Sequence, residues 1–232
     1  MNLKILSLVI IGVCILLPDV CYAFLSKDVH LLNMQNGLAD NTVSAVYKDK
    51  EGFVWFGTRN GLSRYDGRRI TNFERSRSYP SISNLKEVFD GVLAFVDNGV
   101  FSAFDLKKER FLSVVSSSGQ GIPSRGMLQR NDSLVWVISG SELHLMKRCA
   151  SKEGELRLRV QEKYTGWNNQ DNLLVAITYS SDKKSICLID EKGRIILLDA
   201  TNLNSFRVID LGRIGSLSVN SVLYDDGRIW IS

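Results

Sequence analysis

Of 232 residues, two are histidine, three are proline and four are cysteine. Two histidines in separate parts of the chain, His30 and His144, give no metal-ligand spacing and no partner for a nucleophile. No glycine-rich phosphate loop and no Cys-x-x-Cys occurs, so nucleotide, zinc and dithiol redox chemistry have no carrier. The spacing points to no catalytic residue, no metal and no cofactor. No block of like charges runs through the chain. Lys+Arg 29 against Asp+Glu 25 leaves +4 spread along it, which argues against a nucleic-acid partner. Proline-rich linkers and amphipathic helical windows of ten or more residues are missing as well.

One long apolar run is present, at the very start. Lys4 precedes Ile5–Leu17, Pro18 and Asp19 break the run, and Cys21-Tyr22-Ala23 puts small residues where a signal peptidase reads. Thirteen residues are short for a membrane span, which needs about 20. The layout predicts a secretory signal peptide over 1–23 and a mature chain from Phe24. Cys149 and Cys187 then remain, and export would permit a bridge between them.

What the chain does have is glycine, 18 of them, between short β-branched and aromatic runs. Thr42 to Tyr47, Phe53 to Thr58, Leu62 to Tyr65 and Ile70 to Phe73 read as four strands. Lys50-Glu51-Gly52, Asn60-Gly61 and Asp66-Gly67 are the turns between them. The order of turn, strand and hairpin returns around Leu93, Trp136, Cys187 and Trp230. Counted from Trp55, the spacings are 38, 43, 51 and 43 residues. Four strands per forty-odd residues predicts an all-β chain, a β-propeller of four-stranded antiparallel blades. Blades are expected to start near 41, 81, 125, 172 and 218, giving about four to five blades in an open arc. A sheet with two apolar faces is stable only when neighbours cover both. Trp55, Leu93, Trp136 and Trp230 are expected at those contacts, with Gly57 and Gly140 allowing close backbone approach and Gly61 turning the hairpin.

Gly37-Leu38-Ala-Asp-Asn41-Thr-Val, followed by Asp49 to Gly67, resembles the two-component regulator propeller repeat. That family forms the periplasmic sensor region of hybrid two-component histidine kinases. The resemblance implies a periplasmic sensor without catalytic activity of its own, an oligosaccharide ligand, a homodimer partner and a receptor chain carrying a membrane helix and kinase. The sequence stops inside the Trp-strand of a fifth repeat, so it reads as an N-terminal fragment. The strand around Val29 to Leu32 would then lack its ring-closing partner. Two alternatives stay open: a secreted protein-binding scaffold, and a propeller lyase or glycosidase.

Propeller ligands are expected over the face formed by loops between blades and by second-to-third-strand hairpins. Gly166-Trp167-Asn168-Asn169-Gln170 is the unusual loop there: an indole face can stack on a sugar ring while amides bond its hydroxyls. The plainer reading is that Trp167 covers a blade edge and the amides form turns. Arg59, Asn60 and Arg125 are further candidates, each also readable as a solvated turn residue.

Overall fold

The computed structural model describes residues 31–74, 82–167, 172–210, 222–225 and 228–231. The signal-peptide segment, Val29 and His30 of the Val29 to Leu32 stretch, Asn168, Asn169 and the expected fifth start near 218 lie outside them. All elements below belong to the unit Asn33–Ser232.

Blade 1 is β1 (Val43–Lys48), β2 (Val54–Thr58), β3 (Gly61–Tyr65) and β4 (Ile70–Glu74). Blade 2 is β5 (Ile82–Phe89), β6 (Val92–Asp97), β7 (Val100–Asp105) and β8 (Arg110–Ser116). Blade 3 is β9 (Gly126–Asn131), β10 (Leu134–Ser139), β11 (Glu142–Cys149) and β12 (Glu155–Tyr164). Blade 4 is β13 (Leu174–Tyr179), β14 (Ser185–Asp190), β15 (Arg194–Asp199) and β16 (Phe206–Asp210). A last pair, β17 (Val222–Asp225) and β18 (Arg228–Ile231), follows. Within every blade consecutive strands pair antiparallel. The helical content of the described residues is one 3-10 turn, Met34–Asn36.

Four apolar clusters fill the seams between successive sheets. In β6, Leu93 and Phe95 join Trp55 and Leu62 of blade 1, while Val92, Ala94 and Val96 join Val135 and Val137 of blade 3. In β10 the same alternation sends Trp136 and Ile138 toward Ile186 and Leu188 of blade 4. In β14, Cys187 and Ile189 meet Tyr224, Ile229 and Ile231. Side chains along a strand point alternately to opposite faces, so a strand between two neighbours is apolar at every position. β6 is accordingly buried throughout, whereas β2 alternates more, with Val54 and Phe56 only half-buried. Each such side chain, taken from water, contributes about 1.5–3 kcal/mol.

Gly57 stands where a Cβ would come within 2.5 Å of Ile82 Cγ2, so the approach of blades 1 and 2 requires glycine there. Gly140 has a different reason. A Cβ there would meet open space, and the residue is needed for its φ of +62 in the β10–β11 turn. The hairpin at Gly61 also departs from the expected register. Its two loop residues are Arg59 and Asn60, because Thr58 pairs with Gly61, which opens β3 at φ +120. The hairpin with both loop residues at positive φ is Asn98-Gly99.

Two further features differ from four separate blades. Blades 2 and 3 form one eight-stranded sheet, because β12 pairs parallel with β8 over Glu155–Leu158. Ten residues long, β12 reaches across the seam, and its Leu156 and Leu158 are buried in the cluster between those blades. Trp230 is 59% exposed, unlike Trp55 and Trp136 at 1%. Cys149 and Cys187 are free thiols, so the permitted bridge does not form.

Candidate functional site

Among the described residues, cavities lie at two of the seams, each beside a repeat tryptophan. At the seam of blades 1 and 2 a cavity of ≈ 230 Å³ is bounded by Asp49, Phe53, Trp55, Arg64, Glu87 and Lys107, among others. Its charges are spent internally. Asp49 Oδ1 accepts from the Phe53 amide at 2.9 Å, and Oδ2 accepts the Trp55 indole N–H at 2.7 Å. One carboxylate therefore caps the β1–β2 turn and satisfies the buried indole. The Arg64 guanidinium lies over the rings of Phe53, Trp55 and Phe73, at 4.8, 5.6 and 5.5 Å, and reaches Glu109 of the next blade at 2.6 Å. Lys50 pairs with Glu87 and Lys107 with Asp90. This arrangement ties the two blades together around the cavity.

The seam of blades 3 and 4 is looser. A cavity of ≈ 220 Å³ lies between Arg130, Trp136, Glu162 and Tyr164 of blade 3 and the turn 200–204 of blade 4. A second, of ≈ 280 Å³, lies between Lys163–Trp167 and Leu203, Asn204 and Phe206. The two share Tyr164, Leu203 and Asn204, so they adjoin along one grooved seam. Trp136 donates its indole N–H across the seam to the Tyr179 hydroxyl at 3.2 Å. Arg130 covers the Trp136 ring at 5.2 Å and donates to the Ala200 carbonyl at 3.3 Å. The Tyr164 hydroxyl donates to Glu162, and desolvation followed by that bond pushes it up to about 12, so it stays protonated. Burial likewise raises Tyr179 above the ordinary phenol value.

The residues singled out in sequence fall in three places. Trp167 is 5% exposed, packs in the blade 3/4 cluster and meets Phe206 edge-on at 6.4 Å. That matches the plainer reading: it covers a blade edge and is not an open stacking platform. Its Nε1–H is nevertheless buried with no hydrogen-bond partner. Arg59 and Asn60 are exposed in the blade 1 hairpin, where the Asn60 amide donates to the Ala39 carbonyl at 3.4 Å. Arg125 is exposed ahead of β9, and its carbonyl accepts from Asn84. None of these three lines the groove that Trp167 lines. His144 is held by Glu142. Sequence reasoning missed Arg64, Arg130, Tyr164 and Tyr179, each on a strand and each defined by what the next blade places against it. An arginine two positions beyond Leu128 gave a faint signal, because the matching position beyond Tyr47 is Asp49.

Among the described residues no helix is long and apolar enough to cross a membrane, and no group of three His, Cys, Asp or Glu could hold a metal. Residues 37–60 match the sequence pattern of the two component regulator propeller. No curated protein matches. The fold resembles the extracellular domain of a putative one component system from B. thetaiotaomicron, at 16% identity and TM-score 0.63, covering 89% of this chain and 31% of that one. The extracellular domain of a putative hybrid two component system from the same organism matches at 18% identity and TM-score 0.59, over 87% of this chain and 29% of that one. Virginiamycin B lyase from Staphylococcus aureus matches at 19% identity and TM-score 0.52, over 81% of this chain and 61% of its own. The chain therefore spans less than a third of the two extracellular domains it resembles. At these identities the likeness establishes the fold. The repeat at residues 37–60 is that of the two component regulator propeller family, carried here on a β-propeller fold.

Proposed function

We propose that the chain is a periplasmic ligand-sensing module of a two-component signal-transduction receptor, non-catalytic itself, with an oligosaccharide as its ligand. The observation that carries the reading is the repeat match over residues 37–60. The likeness to extracellular domains of putative bacterial signalling systems supports it. Aromatic rings beside asparagines in the blade 3/4 groove supply the contacts that sugar rings use. A homodimer partner and the remainder of a receptor chain belong to the same reading. Ligand binding would bias the packing of propellers in that dimer and so shift a distant kinase between two states.

Calorimetry of the purified chain against a panel of neutral and acidic oligosaccharides tests it. Saturable heat with one class supports sensing, and no heat with any of them overturns the ligand assignment. The same fold also serves a lyase, so each oligosaccharide is also assayed for release of unsaturated sugar. Turnover would overturn the non-catalytic part of the proposal.

A further inference from the structure

We propose that the groove between blades 3 and 4 is a binding site for an uncharged ring compound, a polyol or an amide, whose oxygen accepts the indole N–H of Trp167. This gives the ligand-sensing reading a location and rests on that reading.

The first argument is the orphaned donor. Buried polar groups in folded proteins almost always find partners, and an indole N–H without one is costly. Trp55 and Trp136 obey the rule through Asp49 and Tyr179. Trp167 alone of the three has no acceptor, and its ring lines the larger cavity. Beside it the backbone at Gly166 leaves room, since a Cβ built there would meet open space. Phe206, edge-on to the indole and 42% exposed, is the wall that a rotamer change can move to admit a ligand.

Charge decides the ligand class. Every charged group of the groove already has a partner: Arg130 with the Ala200 carbonyl and the Trp136 ring, Glu162 with the Tyr164 hydroxyl, Lys163 with Glu142. An uncharged ligand leaves all of these bonds in place. An uncharged ligand meets aromatic edges and the amides of Asn202 and Asn204, both on the exposed turn. Site walls of apolar surface with a few convergent polar groups suit a neutral ring.

The groove also straddles a seam. One wall belongs to blade 3 and the other to blade 4. An occupant therefore bridges two blades that also meet through apolar packing and through the Trp136–Tyr179 and Arg130–Ala200 bonds.

The test is an NMR titration of the whole chain, labelled with ¹⁵N. Its four tryptophans give four indole signals, and Trp167→Phe identifies the relevant one. The probes are methyl β-glucoside, which is neutral, and glucuronate, which is charged. We expect the glucoside to move the Trp167 indole and the backbone amides of Thr201 to Asn204, leaving the Trp55 indole, at the seam of blades 1 and 2, in place. Trp167→Phe keeps an aromatic ring, though a smaller one, and removes the donor, and should weaken binding about tenfold. Asn204→Ala, on the exposed turn, should weaken it about threefold without touching the core. Shifts confined to Arg59, Asn60 or Arg125 would overturn this site and leave the sensing reading standing. Tighter binding of glucuronate would overturn the uncharged class. Unmoved spectra with both probes would overturn the site, and if the oligosaccharide panel also gives no heat, the ligand reading falls with it.

Discussion

Blades 1 and 2, and blades 3 and 4, meet around a buried tryptophan at the same place in the repeat, and they treat it differently. Trp55 pairs with Tyr47 and Arg64 on the flanking strands, and Trp136 pairs with Leu128 and Leu145. Two residues beyond Tyr47 stands Asp49, which takes the indole N–H within blade 1. Two residues beyond Leu128 stands Arg130, which cannot accept a hydrogen bond. Trp136 must therefore reach Tyr179 in the next blade. Where the blade satisfies its own tryptophan, the arginine opposite is free to span the seam to Glu109, and Lys50–Glu87 and Lys107–Asp90 pairs stand beside the cavity. Where it does not, the seam is held by a hydroxyl, and an elongated groove remains beside it. A single acid-to-arginine difference two residues beyond the one facing the tryptophan thus separates a seam whose indole is satisfied within its own blade from one whose indole is bonded across to the next.

The largest expected effect comes from removing the tryptophans. Trp55→Ala and Trp136→Ala should each lower stability by about 3–5 kcal/mol, against a total of about 5–15 for a typical domain. The loss should be greater at Trp55, because Asp49 is 8% exposed and its carboxylate would keep its burial while losing a donor. Urea midpoints of the two variants check this. A smaller loss at Trp55 than at Trp136 would break the contrast between the seams.

A finer cut targets the acceptors. Asp49→Ala should lower stability by about 1–3 kcal/mol, since it strands the indole N–H and uncaps the Phe53 amide. Tyr179→Phe should cost about 1 kcal/mol. The two also differ in where the loss is felt. Hydrogen exchange should speed up in β1 and β2 for Asp49→Ala, and on both sides of the blade 3/4 seam for Tyr179→Phe. Equal spread in both variants would mean that neither indole bond is local to its seam.

Strand content and the four-strand period were readable in the sequence because turns and alternation are local. Gly52, Gly67 and Gly99 sit at turns with positive φ, and β2, β3 and β4 lie where β-branched and aromatic runs put them. The exact hairpin at Asn60-Gly61 lies one position earlier than expected, since Gly61, with its positive φ, serves as the first residue of β3 and not as the second loop residue. The β8–β12 pairing was not readable, because it joins strands of two blades and depends on the length of β12 as much as on its composition. The candidate site was less legible still. Trp167 stood out by its loop, but the arginines and tyrosines that shape the groove look like ordinary strand residues until the next blade is set against them. Asn168 and Asn169 carried much of the sequence argument and lie outside the described residues.

The smallest effect concerns the seam between, where blades 2 and 3 share a sheet. Glu153, ahead of β12, accepts from Lys108 at 2.8 Å and Arg110 at 2.9 Å in blade 2, and these bonds hold its carboxyl below the ordinary 4.5. A depressed carboxylate contributes stability that is present above its unfolded value. That contribution is lost as the pH falls from about 4.5 through the lowered folded value. Glu153→Gln should therefore lower the unfolding midpoint slightly at neutral pH, and the two proteins should converge as the pH drops below 4.5. The pairs are solvent-exposed, so added salt should shrink the gap as well. If the gap survives both acid and salt, the charge on Glu153 is not what matters. The outer join of blades 2 and 3 would then rest on the β8–β12 ladder and on Leu156 and Leu158 beneath it, which would place this seam with the apolar contact at blades 3 and 4 and set the ion-paired seam of blades 1 and 2 apart from both.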